Sequence, residues 1–132
     1  MSEIQLLPAV REFLATPKRL LIGGQWVDAA SGKRFGVENP ATATQLCEVA
    51  EGEEADVDAA VAAARAAFEG PWRWETPARR GYLLFRLAEL IDAHREELAQ
   101  LITLENGKTI AAARGEACLL YTSDAADEED SV

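Results

Sequence analysis

Histidine occurs once in these 132 residues and cysteine twice. Two thiols, Cys47 and Cys118, are too few for a disulfide framework, and nothing in the sequence argues for a bridge between them. Reduced thiols and a cytoplasmic setting are therefore expected. A lone histidine, His94, cannot make a metal site without partners. No run of eighteen apolar residues is present, which excludes a membrane-spanning helix. The N-terminus carries Glu3 and lacks a basic start followed by a long apolar stretch, so a secretory signal is not expected. No G-x-G-x-x-G follows a strand, so Gly23, Gly24 and Gly32 read as turn residues and none is assigned to cofactor binding. Basic residues are scarce as well: thirteen stand against twenty-three acids, giving a net charge of −10. That balance excludes nucleic acid, whose phosphates demand clustered Lys and Arg.

What is present is the material of a globular domain. The apolar share is 48% and the charged share 27%, in a chain with the length of one domain. The charge is unevenly placed, since every basic residue lies at or before Arg114. Residues 1–116 hold thirteen bases and eighteen acids, and the other five acids all fall in the last nine residues. The body is mildly acidic, and the tail is a different material.

Periodicity divides the body in two. Leu6, Val10, Phe13 and Leu14 fit a short amphipathic helix starting near Pro8, a residue suited to the first helical position. Apolar runs at Arg19 to Ile22 and Gln25 to Val27 flank Gly23-Gly24, which can take the positive φ angles of a type I′ hairpin turn. A second turn at Ser31-Gly32-Lys33 leads to a strand from Arg34 to Glu38, broken by Asn39-Pro40. Another strand is expected from Gln45 to Ala50. From Glu53 the period changes to that of a helix: Val57, Val61, Ala64 and Phe68 share one face. Gly70-Pro71 ends it, and Thr76-Pro77 caps a second helix striped by Leu84, Leu87 and Ile91, with Leu83 and Leu90 beside them. A third helix from about Arg95 turns Leu98, Leu101 and Ile102 inward and closes at Asn106-Gly107; a fourth begins at Ile110.

Four segments of this chain resemble the aldehyde dehydrogenase family. They are LLIGGQWVDAASGK from Leu20, VENPAT from Val37, EGEEADVDAAVAAARAAFEGPW from Glu51, and RRGYLLFRLAELIDAHREELAQLITLENGK from Arg79. Each is weak alone; their order and spacing over residues 8–116 carry the resemblance. The stretch Val10 to Pro17 is most similar to the phenylacetaldehyde dehydrogenase branch. The resemblance implies an α/β fold: the N-terminal part of a Rossmann-like NAD-binding domain, incomplete, with hairpin strands followed by helices. It implies a helical extension over 1–17 and a partial NAD-binding domain over 18–116. It also implies aldehyde oxidation to a carboxylic acid with NAD or NADP, in a homodimer or homotetramer. The family's catalytic cysteine, glutamate and oxyanion asparagine match no position here, so no catalytic residue is assigned and the chain alone is expected to be inactive. One departure lies inside the match: after Asn39-Pro40-Ala41-Thr42 the family continues with Gly and a charged residue, where Ala43 and Thr44 stand here. The alternative reading is an acidic helical protein-interaction module without catalysis.

Residues 117–132 are expected to be foreign. CLLYTSDAADE from Cys118 resembles the translation of a transposon-type sequencing adapter, and the charge break after Arg114 agrees with this. A genuine acidic, disordered tail is the competing reading.

Candidate residues are few. Cys47, beside Glu48, lacks the positive surroundings that lower a thiol pKa and reads as a buried structural thiol. His94, between an acid-bearing helix end and Arg95, reads as exposed. Trp26, Trp72 and Trp74 read as packing anchors. Glu105 continues the stripe of Leu98, Leu101 and Ile102 and should face the protein, in a last turn where the helix dipole disfavours negative charge. The resemblance implies a structural monovalent or divalent cation there, held by Glu105 with the backbone carbonyls of Val37 and Glu38, which are hard oxygen ligands.

Overall fold

A computed structural model describes residues 5–117; Cys118 and the acidic tail lie outside the described residues. Helix α1 (Pro8–Leu14) starts on its proline and buries Val10. Strands β1 (Leu20–Ile22) and β2 (Gln25–Val27) form an antiparallel hairpin. Gly23 and Gly24 sit at φ 58° and 78°, the pair of positive angles that a type I′ turn requires. Strands β3 (Arg34–Asn39) and β4 (Thr44–Ala50) form a second antiparallel hairpin, with a register shift between Val37 and Glu38. The segment before β1 runs along the free edge of β4. There the Lys18 amide donates to the Glu48 carbonyl at 2.8 Å, and the Ala50 amide donates to the Lys18 carbonyl at 2.9 Å.

Helices follow: α2 (Glu54–Glu69), the single turn α3 (Pro71–Trp74), α4 (Pro77–Ala93) and α5 (Arg95–Asn106). A further helix occupies 110–117. The expected caps hold. The Thr76 hydroxyl accepts from the Arg79 amide at 3.2 Å above Pro77, and Gly107 takes φ 71° past the end of α5. A Cβ on Gly107 would stand 3.0 Å from the Pro40 ring, so that glycine also lets α5 end against the β3–β4 turn. The sequence reading missed α3, which Gly70-Pro71 starts as well as ending α2. Both sheets are two-stranded and antiparallel, so the parallel sheet of a Rossmann-like domain is not among the described residues.

The core is small and made largely of alanine: Ala29, Ala50, Ala88, Ala99, Ala113 and Ala117 join Val10. On α2 the expected stripe faces outward, with Val57 57% exposed, Val61 53% and Phe68 69%. The packed side of that helix is Asp56, Ala60 and Ala63, one turn apart, lying over the β1–β2 hairpin. Small side chains let the helix approach the Gly-Gly turn closely, and the large ones remain open. On α4 the inner residues are Leu84, Ala88 and Ile91, while Leu83, Leu87 and Leu90 are exposed. A helix apolar on two sides is built to lie between layers. Trp26, Trp72 and Trp74 are likewise exposed, so none of the three expected anchors packs within the described residues.

Candidate functional site

A broad concavity lies where α1, the β3–β4 turn, the end of α5 and the start of helix 110–117 meet. Arg11, Asn39, Thr42, Thr103, Lys108 and Thr109 are among its walls, and the cleft is open to solvent with a volume of about 1120 Å³. Its shape follows from the β3–β4 turn. The Asn39 carbonyl accepts the Thr42 and Ala43 amides at 3.2 and 2.8 Å, while its side-chain oxygen accepts the Ala41 amide at 2.9 Å. Ala43 closes the turn at φ 53°, the one non-glycine residue at positive φ among those described. Ala43 thus holds a left-handed conformation, at a steric cost.

The three residues nominated for a cation, Val37, Glu38 and Glu105, are not among those that line this cleft. Val37 and Glu38 flank the register shift in β3, and α5 packs on that strand. Glu105 is exposed rather than turned inward. The reason is rotational: α5 buries the face centred on Ala99 and Gln100, and Glu105 lies roughly 140° around the helix from Gln100. Leu98, Leu101 and Ile102, on which the stripe was based, are only half-buried. Among the described residues no three His, Cys, Asp or Glu side chains converge as metal ligands.

Two buried polar groups, Asp56 and Gln100, hold the scaffold together. Asp56, third residue of α2, accepts the Glu53 amide at 3.0 Å and the Ala30 amide at 2.9 Å. Those two backbone hydrogen bonds lower its carboxyl pKa, against the upward push of burial. Acid residues at the start of a helix are its sequence signal; the bond to Ala30, twenty-six residues away, has none. Gln100, 4% exposed, accepts the Leu7 amide at 2.9 Å and donates to the Gln5 carbonyl at 3.4 Å, tying the N-terminal segment to α5. At the far end, Arg114 grips Glu96 through two bonds of 2.7 and 2.8 Å. That pairing lowers the Glu96 pKa and raises that of Arg114.

The remaining nominated residues show no chemistry. Cys47 is a free thiol in β4, half-buried rather than buried, because two-stranded sheets cover only one side. His94 is exposed at the α4–α5 junction, with its Nδ1 3.1 Å from Glu97. Gly23, Gly24 and Gly32 serve turns. No helix among the described residues is long and apolar enough to cross a membrane.

Comparison with known proteins accounts for the pattern. The sequence pattern of the aldehyde dehydrogenase family matches residues 26–125. The chain is 48% identical over 105 residues to a phenylacetaldehyde dehydrogenase of Pseudomonas fluorescens, covering 79% of this chain and 21% of that protein. A solved point mutant of an aldehyde dehydrogenase from Bacillus cereus superposes with a TM-score of 0.93 at 43% identity, over 97% of this chain and 26% of that one. The NAD+ complex of an aldehyde dehydrogenase from Bacillus cereus gives 0.75 at 41% identity, over 92% and 26%. The chain spans about a quarter of the length of the relatives it matches. Alanine-faced helices, the paired hairpins and the ordered family segments all agree, and the chain belongs to the aldehyde dehydrogenase family.

Proposed function

We propose that this chain is the leading quarter of an NAD(P)-dependent aldehyde dehydrogenase that oxidises an aldehyde to a carboxylic acid. The observation that carries the reading is the superposition over 97% of this chain and 26% of a solved aldehyde dehydrogenase. In such an enzyme a cysteine thiolate attacks the carbonyl, and hydride leaves the hemithioacetal. A glutamate-activated water then releases the acid. NAD or NADP supplies the hydride acceptor, and the similarity to an enzyme solved with NAD+ supports that cofactor class. No residue of this chain is assigned to those steps; its part is structural, supplying hairpins and helices to the nucleotide-binding domain. An arylacetaldehyde is the substrate class we favour, supported by the 48% identity to a phenylacetaldehyde dehydrogenase. A homodimer or homotetramer belongs to the same reading and rests on family resemblance.

The described residues do not fit a bound cation by themselves, since Glu105 faces solvent and offers one carboxylate beside two carbonyls. We therefore confine the cation to the longer enzyme, with Glu105, Val37 and Glu38 contributing oxygens. The break in the β3 ladder at Val37/Glu38 supports this. We also propose that the segment from about Ala117 is foreign, supported by the absence of bases after Arg114, although the family match extends to residue 125. The DNA downstream of the Glu116 codon decides it.

The test is a chimera in which residues 5–117 replace the matching part of the Bacillus cereus enzyme. Aldehyde-dependent reduction of NAD or NADP is expected to survive; a folded, inactive chimera refutes the reading. In the chimera, Glu105→Gln should remove any rise in Tm that potassium or magnesium produces.

A further inference from the structure

Asparagine occurs twice in this chain, and the residues that follow the two are chemical opposites: Pro40 after Asn39, and Gly107 after Asn106. An asparagine carboxamide is an electrophile within reach of one main-chain nucleophile, the amide nitrogen of the next residue. Proline has no N–H to deprotonate there, so the Asn39 carboxamide has no such partner. Glycine presents an N–H with no side chain to crowd the approach. The structure sharpens the contrast. The Asn39 side-chain oxygen is engaged inside its turn, accepting the Ala41 amide at 2.9 Å, whereas Asn106 is exposed. Asn106 is the last residue of α5, and the Gly107 amide, at φ 71° just beyond it, donates to the Thr103 carbonyl at 3.0 Å. That bond occupies the nitrogen that would attack. Reaction therefore needs the last turn to open, which costs far less than unfolding the whole chain.

We propose that Asn106 is a site of spontaneous deamidation, with the C-terminal cap of α5 as its brake. Once the turn opens, hydroxide takes the Gly107 amide proton and the nitrogen bonds to Cγ of Asn106. The carboxamide C–N bond breaks, ammonia leaves, and a cyclic succinimide forms. Water then opens the ring at either carbonyl and leaves aspartate or isoaspartate, with no oxidant or reductant involved. Neither product restores the cap. Both put a carboxylate beside Glu105 at the negative end of the helix dipole. Isoaspartate also adds a methylene to the main chain between Thr103 and Gly107, so the amide no longer meets its carbonyl in register. Gly107 lies so close to the Pro40 ring that a Cβ there would stand 3.0 Å away, and its displacement loosens the approach of α5 to the β3–β4 turn. This modification is independent of the functional reading above.

The test is incubation of the full 132-residue chain at neutral and mildly alkaline pH, followed by peptide mapping with mass spectrometry. A short peptide with the sequence of residues 103–109 gives the rate without the brake. The brake is a main-chain bond of the helix itself and holds wherever α5 is helical, with or without fixed side-chain packing. The mass gain of replacing –NH2 by –OH is expected at Asn106 and not at Asn39, with isoaspartate among the products and a rate that rises with pH. The chain should convert about two- to tenfold more slowly than the peptide, the factor that one net hydrogen bond gives. Gly107→Ala made in the peptide, where folding plays no part, should slow conversion severalfold, because its Cβ crowds the attacking nitrogen. Conversion at Asn39 as fast as at Asn106 overturns the site, as does an intact Asn106 after many times the span in which the peptide converts. Equal rates in chain and peptide overturn the cap as the brake.

Discussion

Replacing Ala43 by glycine should stabilise the β3–β4 hairpin, although glycine is ordinarily the more disruptive residue. Ala43 is exposed, sits at φ 53°, and closes a turn whose three amides all bond to Asn39. A left-handed conformation costs a non-glycine residue roughly 1–2 kcal/mol. Glycine removes that strain but gives back about 0.4–1 kcal/mol through its freer unfolded chain. The net gain is about 0.5–1 kcal/mol. Ala41, two residues earlier, is also exposed and has no positive φ, so Ala41→Gly retains only the penalty and loses about 0.4–1 kcal/mol. The same chemical change thus acts with opposite sign within one turn. Amide hydrogen exchange in the β3–β4 ladder reads the difference. Exchange should slow by about two- to fivefold in Ala43→Gly and quicken by a similar factor in Ala41→Gly. Shifts of one sign in both variants would refute the reasoning.

Removing the Gln100 amide should free the N-terminal segment: Gln100→Ala is expected to cost about 1–3 kcal/mol. Faster exchange at the Leu7 amide and earlier proteolysis before α1 would register it. Asp56 makes stability depend on pH. Its folded pKa is lowered by its two backbone hydrogen bonds, so its contribution is complete above the ordinary carboxylate range and is lost as pH falls through the depressed value. Acid titration followed by circular dichroism should show that loss in the parent and not in Asp56→Asn, which should already be less stable at neutral pH. The isolated 132-residue chain, with fourteen large apolar residues exposed among those described, should bind a hydrophobic dye and lack a sharp cooperative transition by calorimetry. A sharp melt without dye binding would contradict that.

Local signals were legible wherever a residue acts on its own backbone. Pro8, Gly23-Gly24, Thr76-Pro77 and Gly107 each mark a φ angle or a missing donor, and each appears where expected. The direction of a helix face was not legible to the same degree. The stripe on α2 was found by spacing, yet its alanine side is the one that packs, because the nearest neighbour is a glycine turn that only small side chains approach. Glu105 failed for a related reason: the half-buried leucines of α5 outweighed, in the pattern, the Ala99–Gln100 face that is actually covered. Gln100 carries no local signal, since its partners Gln5 and Leu7 lie more than ninety residues away.

Sequence alone therefore determined the order of the elements other than α3, most of their ends and the family, because caps, turns and ordered segments are properties of neighbouring residues. Only the tertiary structure decided which stripe is inside, where Glu105 points, and that Ala43 bears the strain of a glycine position. Each of these depends on what stands opposite a side chain, and periodicity carries no information about that.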